Sequence, residues 1–266
     1  MYEYLTDTGI EMYNIFNFIS IFALVVMNMS LLRKKSSLMS YASQKFISRL
    51  PIEKRQSFYC KPLFTAFIEM FLISLVQYGP VGLITQLFGK LLNTGNNYFG
   101  VQYVVPFFLM IFFYIIKVPP LRQLDMITPA YAISLVFVKI ACFCDGCCNG
   151  IEWGQFFYNT QTERYEFPVQ LVESALALLI FIFLMCYRKK AKEGTMFPIF
   201  LIVYSSTRFF SEFLRGEENI LWIFKTYHLL CIAGVILGIT ELILVQKYKD
   251  RINKFYEPKP APKIKF

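Results

Sequence analysis

Tyr204, Arg208, Glu212 and Arg215 recur at i, i+4, i+8 and i+11 in the run Tyr-Ser-Ser-Thr-Arg-Phe-Phe-Ser-Glu-Phe-Leu-Arg. At 3.6 residues per turn this spacing draws one polar stripe along an otherwise apolar helix. In a membrane such a stripe has to face the protein interior or a wet cavity, because ionised groups are costly in hydrocarbon. Two arginines against one glutamate leave a positive excess that suits an anion, and guanidinium groups match phosphate oxygens through paired N–H donors. The plainer alternative is an Arg208–Glu212–Arg215 ion network that only ties this helix to its neighbours.

A second cation belongs with the first set. In Val138–Gly150 an apolar segment meets Lys139 and then breaks into the turn Asp145-Gly146-Cys147-Cys148-Asn149-Gly150. Lys139 precedes Asp145 by six residues, about one and a half helical turns at ~1.5 Å per residue, the depth at which a phosphate headgroup is met. Further on, Pro168 suits a helical first turn, and Gln170 and Glu173 stand at i and i+3 on one face that can look toward Lys139.

Cys142, Cys144, Cys147 and Cys148 crowd the same turn. Small thiols packing at a helix end account for them, with one disulfide or a metal site as the alternatives. His228 is the single histidine of the chain, which excludes a His-rich metal site. Its position near the start of an apolar run suits a hydrogen-bonded interfacial residue, with a catalytic base as the alternative.

These residues must be carried by membrane spans. Of 266 residues, 56% are hydrophobic and 18% aromatic, and mean hydropathy is +0.47, well above an ordinary soluble domain. Apolar runs of spanning length fall at about 12–32, 63–84, 98–116, 126–144, 168–187, 196–214 and 226–246. The expected fold is therefore all-α and polytopic, a seven-helix membrane domain over 1–246 followed by a basic, proline-containing tail over 247–266. Of the 27 lysines and arginines, 21 lie in the alternate connectors 33–61, 117–125, 188–195 and 247–266, which places the N-terminus outside and the C-terminus inside. The acidic, lysine-free front of the first span argues against a cleaved signal. The net charge of +9 is concentrated at span ends on one face, so anionic lipid is the expected partner and nucleic acid is not. Residues 36–61 suit an amphipathic segment on the inner leaflet or a solvated basic loop, and 81–92 a surface helix.

Three motifs resemble the prolipoprotein diacylglyceryl transferase family, over most of the chain from the third span onward. The family's Gly-Arg-Ile-Gly-Asn-Phe-x-Asn-Gly-Glu-x-x-Gly loop, known also in a Cys-Cys version, is similar to Val138–Gly150. Its His-Pro-x-Gln-Leu-Tyr-Glu motif is similar to Phe167–Glu173, and its Tyr-x-x-x-Arg-Phe-x-x-Glu-Phe-x-Arg helix is matched in full from Tyr204 to Arg215. The resemblance implies seven spans in the bacterial cytoplasmic membrane and no metal or soluble cofactor. It also implies transfer of a diacylglyceryl group from phosphatidylglycerol to the lipobox cysteine of a prolipoprotein, by a protein expected to act as a monomer. It implies that Arg208 meets the departing glycerol phosphate, with Tyr204 and Glu212 as its catalytic companions. Lys139, Asp145, Gly146, Gly150, Gln170, Glu173 and Arg215 would bind substrate.

The sequence differs from the family at three places. Lys139 replaces an arginine, Phe167 a histidine, and Phe99 or a neighbour stands where the family has the histidine proposed to assist thiol deprotonation. A relative that binds phospholipid or lipopeptide without transferring it is the alternative function. A thiol-redox or metal protein built on the four cysteines is the third.

Overall fold

The structure, a computed structural model, describes residues 12–32, 120–155, 157–159, 162–216 and 224–256. Five helices carry these residues: α1 (Met12–Leu32), α2 (Pro120–Asp145), α3 (Val169–Tyr187), α4 (Met196–Ser211) and α5 (Thr226–Tyr256). Each falls on one of the expected apolar runs. The runs at 63–84 and 98–116, the segments 36–61 and 81–92, and Phe99 lie outside the described residues. Among the described residues, three helical stretches are long and apolar enough to cross a membrane: Ile127–Asp145, Val169–Tyr187 and Thr226–Ile252.

The chain divides into two compact units, 1–31 with 125–245 and 32–124 with 246–266. The first contains every functional group considered below. Of the second, the described residues are helix ends, including the last stretch of α5. That helix runs through Tyr256 into the segment expected to be a tail. The reason is local: Gln246 to Lys254 is rich in Gln, Lys and Arg, which propagate a helix well, and the prolines come only at 258, 260 and 262.

Within the first unit the helices approach closely through small residues. Ala130, Ala132, Ala141 and Ala177 are buried. A Cβ added at Gly238 of α5 would lie 2.7 Å from Ile202 Cγ1 and 2.9 Å from the Pro198 carbonyl oxygen of α4. Hydroxyls add interhelical hydrogen bonds: Ser20 Oγ donates to the Ser134 carbonyl and Ser174 Oγ to the Val136 carbonyl, each at 3.0 Å. Close backbone approach and hydroxyl bonding are how helices associate where lipid removes the hydrophobic drive. Large apolar side chains point the other way. Leu229, Ile232, Ile236, Ile239 and Ile243 form an exposed stripe along α5, and Leu178, Leu179, Ile182 and Phe183 another on α3. Acyl chains cover such faces without cost, whereas water would not.

The junction before α4 is fixed by Asp125, which lies ahead of the membrane-spanning part of α2. The Met196 N–H donates to its Oδ1 at 2.9 Å, and the Gly194 N–H to its Oδ2. The carboxylate thus satisfies helix-start donors that α4 cannot pair internally. Burial nevertheless raises the Asp125 pKa from 3.8 to about 6, against the lowering effect of those two backbone bonds. An acid whose pKa is raised on folding contributes stability that is present below about pH 4 and lost as pH climbs through 6. The loss amounts to about 3 kcal/mol by pH 7. Asp125→Asn is expected to flatten this part of the pH dependence, read as the thermal midpoint in detergent at pH 5 and pH 8. An equal pH dependence in both proteins would rule the assignment out.

Between α2 and α3 the chain is not helical. Tyr158–Asn159 (β1) and Arg164–Tyr165 (β2) pair antiparallel, Tyr158 with Tyr165 and Asn159 with Arg164. Among the described residues the fold is therefore helical with one small hairpin rather than wholly α. The Tyr158–Tyr165 ring pair, 5.2 Å between centroids, packs across the two strands.

Candidate active site

Three separate stretches of backbone are stitched together at the hairpin end of the bundle. The Ile151 N–H donates to the Leu214 carbonyl at 3.0 Å, and the Gly216 N–H to the Asn149 carbonyl at 3.0 Å. The Phe167 N–H donates to the Ile151 carbonyl at 2.9 Å. Gly150 and Arg215 thereby form an antiparallel bridge, and Glu152 and Glu166 another. This small ladder fixes the end of α2, the start of α3 and the segment after α4 relative to one another. The α-helix expected to carry the whole stripe ends at Ser211, Glu212 opens a 3-10 turn over Glu212–Leu214, and Arg215 is extended, as its bridge to Gly150 requires. Gly150 is required by space: a Cβ there would collide with the Phe167 carbonyl. Gly146 ends α2 in the left-handed region at φ 75°, and its carbonyl accepts the Asn159 Nδ2 donor at 2.9 Å. The same amide reaches Glu166 Oε2 at 3.0 Å, so the hairpin is fastened to the turn.

Glu173 is the hub of the charged site. Lys139 Nζ stands 2.6 Å from its Oε2. Arg208 Nη1 pairs with its Oε1, and Arg215 Nη2 stands 3.2 Å from Oε2. Ser211 Oγ donates to Oε1 at 3.2 Å. Glu212 forms the second anchor, with Arg208 Nη2 at 2.7 Å and Arg215 Nε at 3.9 Å from its Oε2. All five side chains are at most 8% exposed. Three cations face two carboxylates, a net charge of +1 among these five side chains, and the buried Lys225, whose Nζ meets backbone carbonyls, adds a further positive charge beside them. Glu173 reduces the excess expected from Lys139 and the stripe alone, and it also aligns the three cations on one locus.

Tyr204 is buried one turn before Arg208 and stacks on Phe200 at 5.6 Å between centroids. Together with Lys139, Glu173 and Arg208 it lines a narrow cavity of about 10 Å³, whose other wall includes Leu135 and Ile180. The space is water-sized, and its lining is polar on one side and aliphatic on the other. Gln170 is engaged elsewhere: its Nε2 donates to the Cys147 carbonyl at 2.7 Å, holding the turn after α2. Asp145 is exposed at the last residue of α2. The structure thus brings Lys139, Glu173, Tyr204, Arg208, Glu212 and Arg215 together. Gly146, Gly150 and Gln170 shape the backbone around them.

Two further buried polar residues belong to the site and are not singled out by the sequence. Ser211 sits between Arg208 and Glu173, and Lys225 donates from Nζ to the Glu212 carbonyl at 3.0 Å and to the Arg215 carbonyl. The carbonyls that Lys225 meets lie at the end of the stripe, where a helix leaves such groups unpaired, and residue spacing does not mark them. His228 is fully buried among Phe209, Phe213 and Phe224. Its Nδ1 accepts the Lys225 backbone N–H at 3.0 Å, which assigns the ring proton to Nε2.

A helical bundle with lipid-facing apolar stripes and a buried charge cluster defines an integral membrane protein. The family model described as prolipoprotein diacylglyceryl transferase matches residues 4–244, and the chain belongs to that family. Among its relatives, a phosphatidylglycerol–prolipoprotein diacylglyceryl transferase of Clostridium tetani is 34% identical over 107 residues, 37% of this chain and 43% of that one. One of Clostridium perfringens is 32% identical over 107 residues, 37% and 42% of the two chains. One of Ehrlichia ruminantium is 31% identical over 169 residues, covering 58% of this chain and 65% of the other. The matched stretch spans less than half the length of the two clostridial proteins.

Proposed function

We propose that this protein transfers the diacylglyceryl group of phosphatidylglycerol to the lipobox cysteine of a prolipoprotein, as its named relatives do. The observation that carries the reading is the convergence of Lys139, Arg208 and Arg215 on one buried locus with a net positive charge. In this reaction the cysteine thiol gives up its proton to water, and the sulfur attacks the glyceryl carbon bound to phosphate. The S–C bond forms, the C–O bond breaks, and glycerol phosphate leaves with the electron pair. Charge grows on the departing phosphate, and fixed cations in a water-poor pocket lower the energy of that charge. Arg208 is the group for the task because Glu212, 2.7 Å from its Nη2, sets the guanidinium plane. Lys139 and Arg215 hold the phosphodiester before transfer, and Tyr204 closes the pocket beside it. Seven spans, with the ladder end of the bundle outside a bacterial cytoplasmic membrane, would put this locus at the outer leaflet, where secreted preproteins emerge.

Phe99 or a neighbour, where the resemblance expects the family histidine, favours a second reading in which the lipid is bound and not transferred. The two are separated by incubating purified protein with phosphatidylglycerol in micelles and a lipobox peptide, followed by mass spectrometry of the peptide. A diacylglyceryl adduct on cysteine is expected. No adduct from protein that retains the lipid would replace the transferase reading with the binding one.

A further inference from the structure

We propose that Cys142, Cys147 and Cys148 form a three-thiolate site for a soft d10 cation, Zn(II) or Cu(I). The four clustered cysteines are not equivalent in the structure. The Sγ atoms of Cys142, Cys147 and Cys148 lie within 4.8 Å of one another, whereas Cys144 stands outside the trio. The grouping is produced by the backbone. Cys142 occupies the last turn of α2, Gly146 reverses the chain at φ 75°, and Cys148 takes the left-handed region at φ 64°. The result folds residues 147 and 148 back over 142, with Cys147 Sγ 3.6 Å from the Cys142 carbonyl.

A left-handed conformation is unusual for a residue with a side chain and is held only where the surroundings impose it. Here they do. Gln170 anchors the Cys147 carbonyl, and the Gly216 N–H anchors the Asn149 carbonyl. Both bonds belong to the scaffold and would persist whatever the thiols bind.

Thiolates bind zinc at about 2.3 Å, so three of them around one ion stand about 4 Å apart. Rotamer shifts of under about 1 Å close the observed spacing to that value. The trio offers sulfur alone, which selects thiophilic ions over magnesium or calcium. Cu(I) is satisfied by three sulfurs, and Zn(II) would add a solvent ligand. Lys139, three residues before Cys142 on the same helical face, offsets part of the charge of the thiolates. Binding exchanges three S–H protons for one cation, three protons being released to solvent.

The test uses the full chain in detergent, reduced with a phosphine, stripped by a chelator, and offered one equivalent of Zn(II) or of Cu(I). One equivalent of one of these ions is expected to survive desalting, with three fewer thiols open to a disulfide reagent and a raised thermal midpoint. Cys148→Ser should lower retention at least tenfold, and Cys144→Ser should leave it unchanged. Cys148→Gly removes the thiol while suiting the backbone at φ 64°, so it should lose the ion yet remain folded. Fully reduced protein that retains neither ion would overturn the proposal. Retention in Cys148→Gly equal to that of the unaltered chain would do so as well.

Discussion

Arg208→Ala is expected to lower diacylglyceryl transfer by about 10²- to 10³-fold, the usual cost of removing one fixed donor from a developing anion, while leaving the bundle assembled. The charge cluster explains the second half of that expectation. With Arg208 gone, Lys139 and Arg215 remain against Glu173 and Glu212, so these four groups balance, and Lys225 keeps its backbone carbonyl partners. What disappears is the guanidinium that an incoming phosphodiester would meet, and with it part of the positive excess. Arg208→Lys retains the charge, but an ammonium cannot reach Glu173 and Glu212 together as the fork does. An intermediate rate is therefore expected for it. The rate of adduct formation on a lipobox peptide measures both variants, and retained phosphatidylglycerol reports whether binding falls with turnover. A wild-type rate in Arg208→Ala would remove Arg208 from the chemistry.

Glu173→Gln should behave in the opposite way and fail first in stability. Three cations converge on this carboxylate. An amide in its place leaves Lys139, Arg208 and Arg215 buried with Glu212 as the one remaining acid of the cluster and with Lys225 beside them. Deleting one partner of a buried ion pair costs about 3–5 kcal/mol, because the other charge is left without compensation. The expected signs are a lowered thermal midpoint and a smaller folded fraction in detergent. Glu173→Asp, shorter but still charged, should fall between. If Glu173→Gln melts with the parent protein, the cluster is not what holds α2, α3 and α4 together.

The described helices are legible in the sequence because membrane spans announce themselves twice, by length and by apolarity. The run at 168–187 and the helix Val169–Tyr187 differ by one residue because Pro168 can start a helix but not extend one backward. The stripe from Tyr204 to Arg215 is equally plain, since four polar groups at helical spacing in an apolar run must share a sheltered face. The i, i+3 spacing with Gln170 puts Glu173 on the correct face without marking it as the hub. Convergence of side chains from three helices is a property of their relative rotation, and periodicity within one helix does not contain it. The ladder through Gly150, Phe167 and Arg215 is hidden for a related reason. It joins isolated residues of no strand pattern, and what permits it is the absence of a side chain at Gly150. Lys225 resembles an ordinary loop cation because its partners are backbone carbonyls, which leave no mark in a sequence.

The order of the buried charges along the chain bears on how the protein enters its membrane. From the N-terminal side they run Lys139, Glu173, Arg208, Glu212, Arg215, with signs that alternate at every step. A ribosome delivering these segments in turn therefore never presents the bilayer with more than one uncompensated charge of this set. The lysine of α2 waits alone, at a cost of about 3 kcal/mol on insertion scales, until α3 brings its carboxylate. The arginine of α4 then arrives with its own glutamate four residues behind it, and Arg215 comes last, where the Gly150 bridge receives it. Cluster and biosynthetic schedule are in step, so a variant that reorders these signs without changing their sum would be expected to insert poorly even if its finished fold were sound.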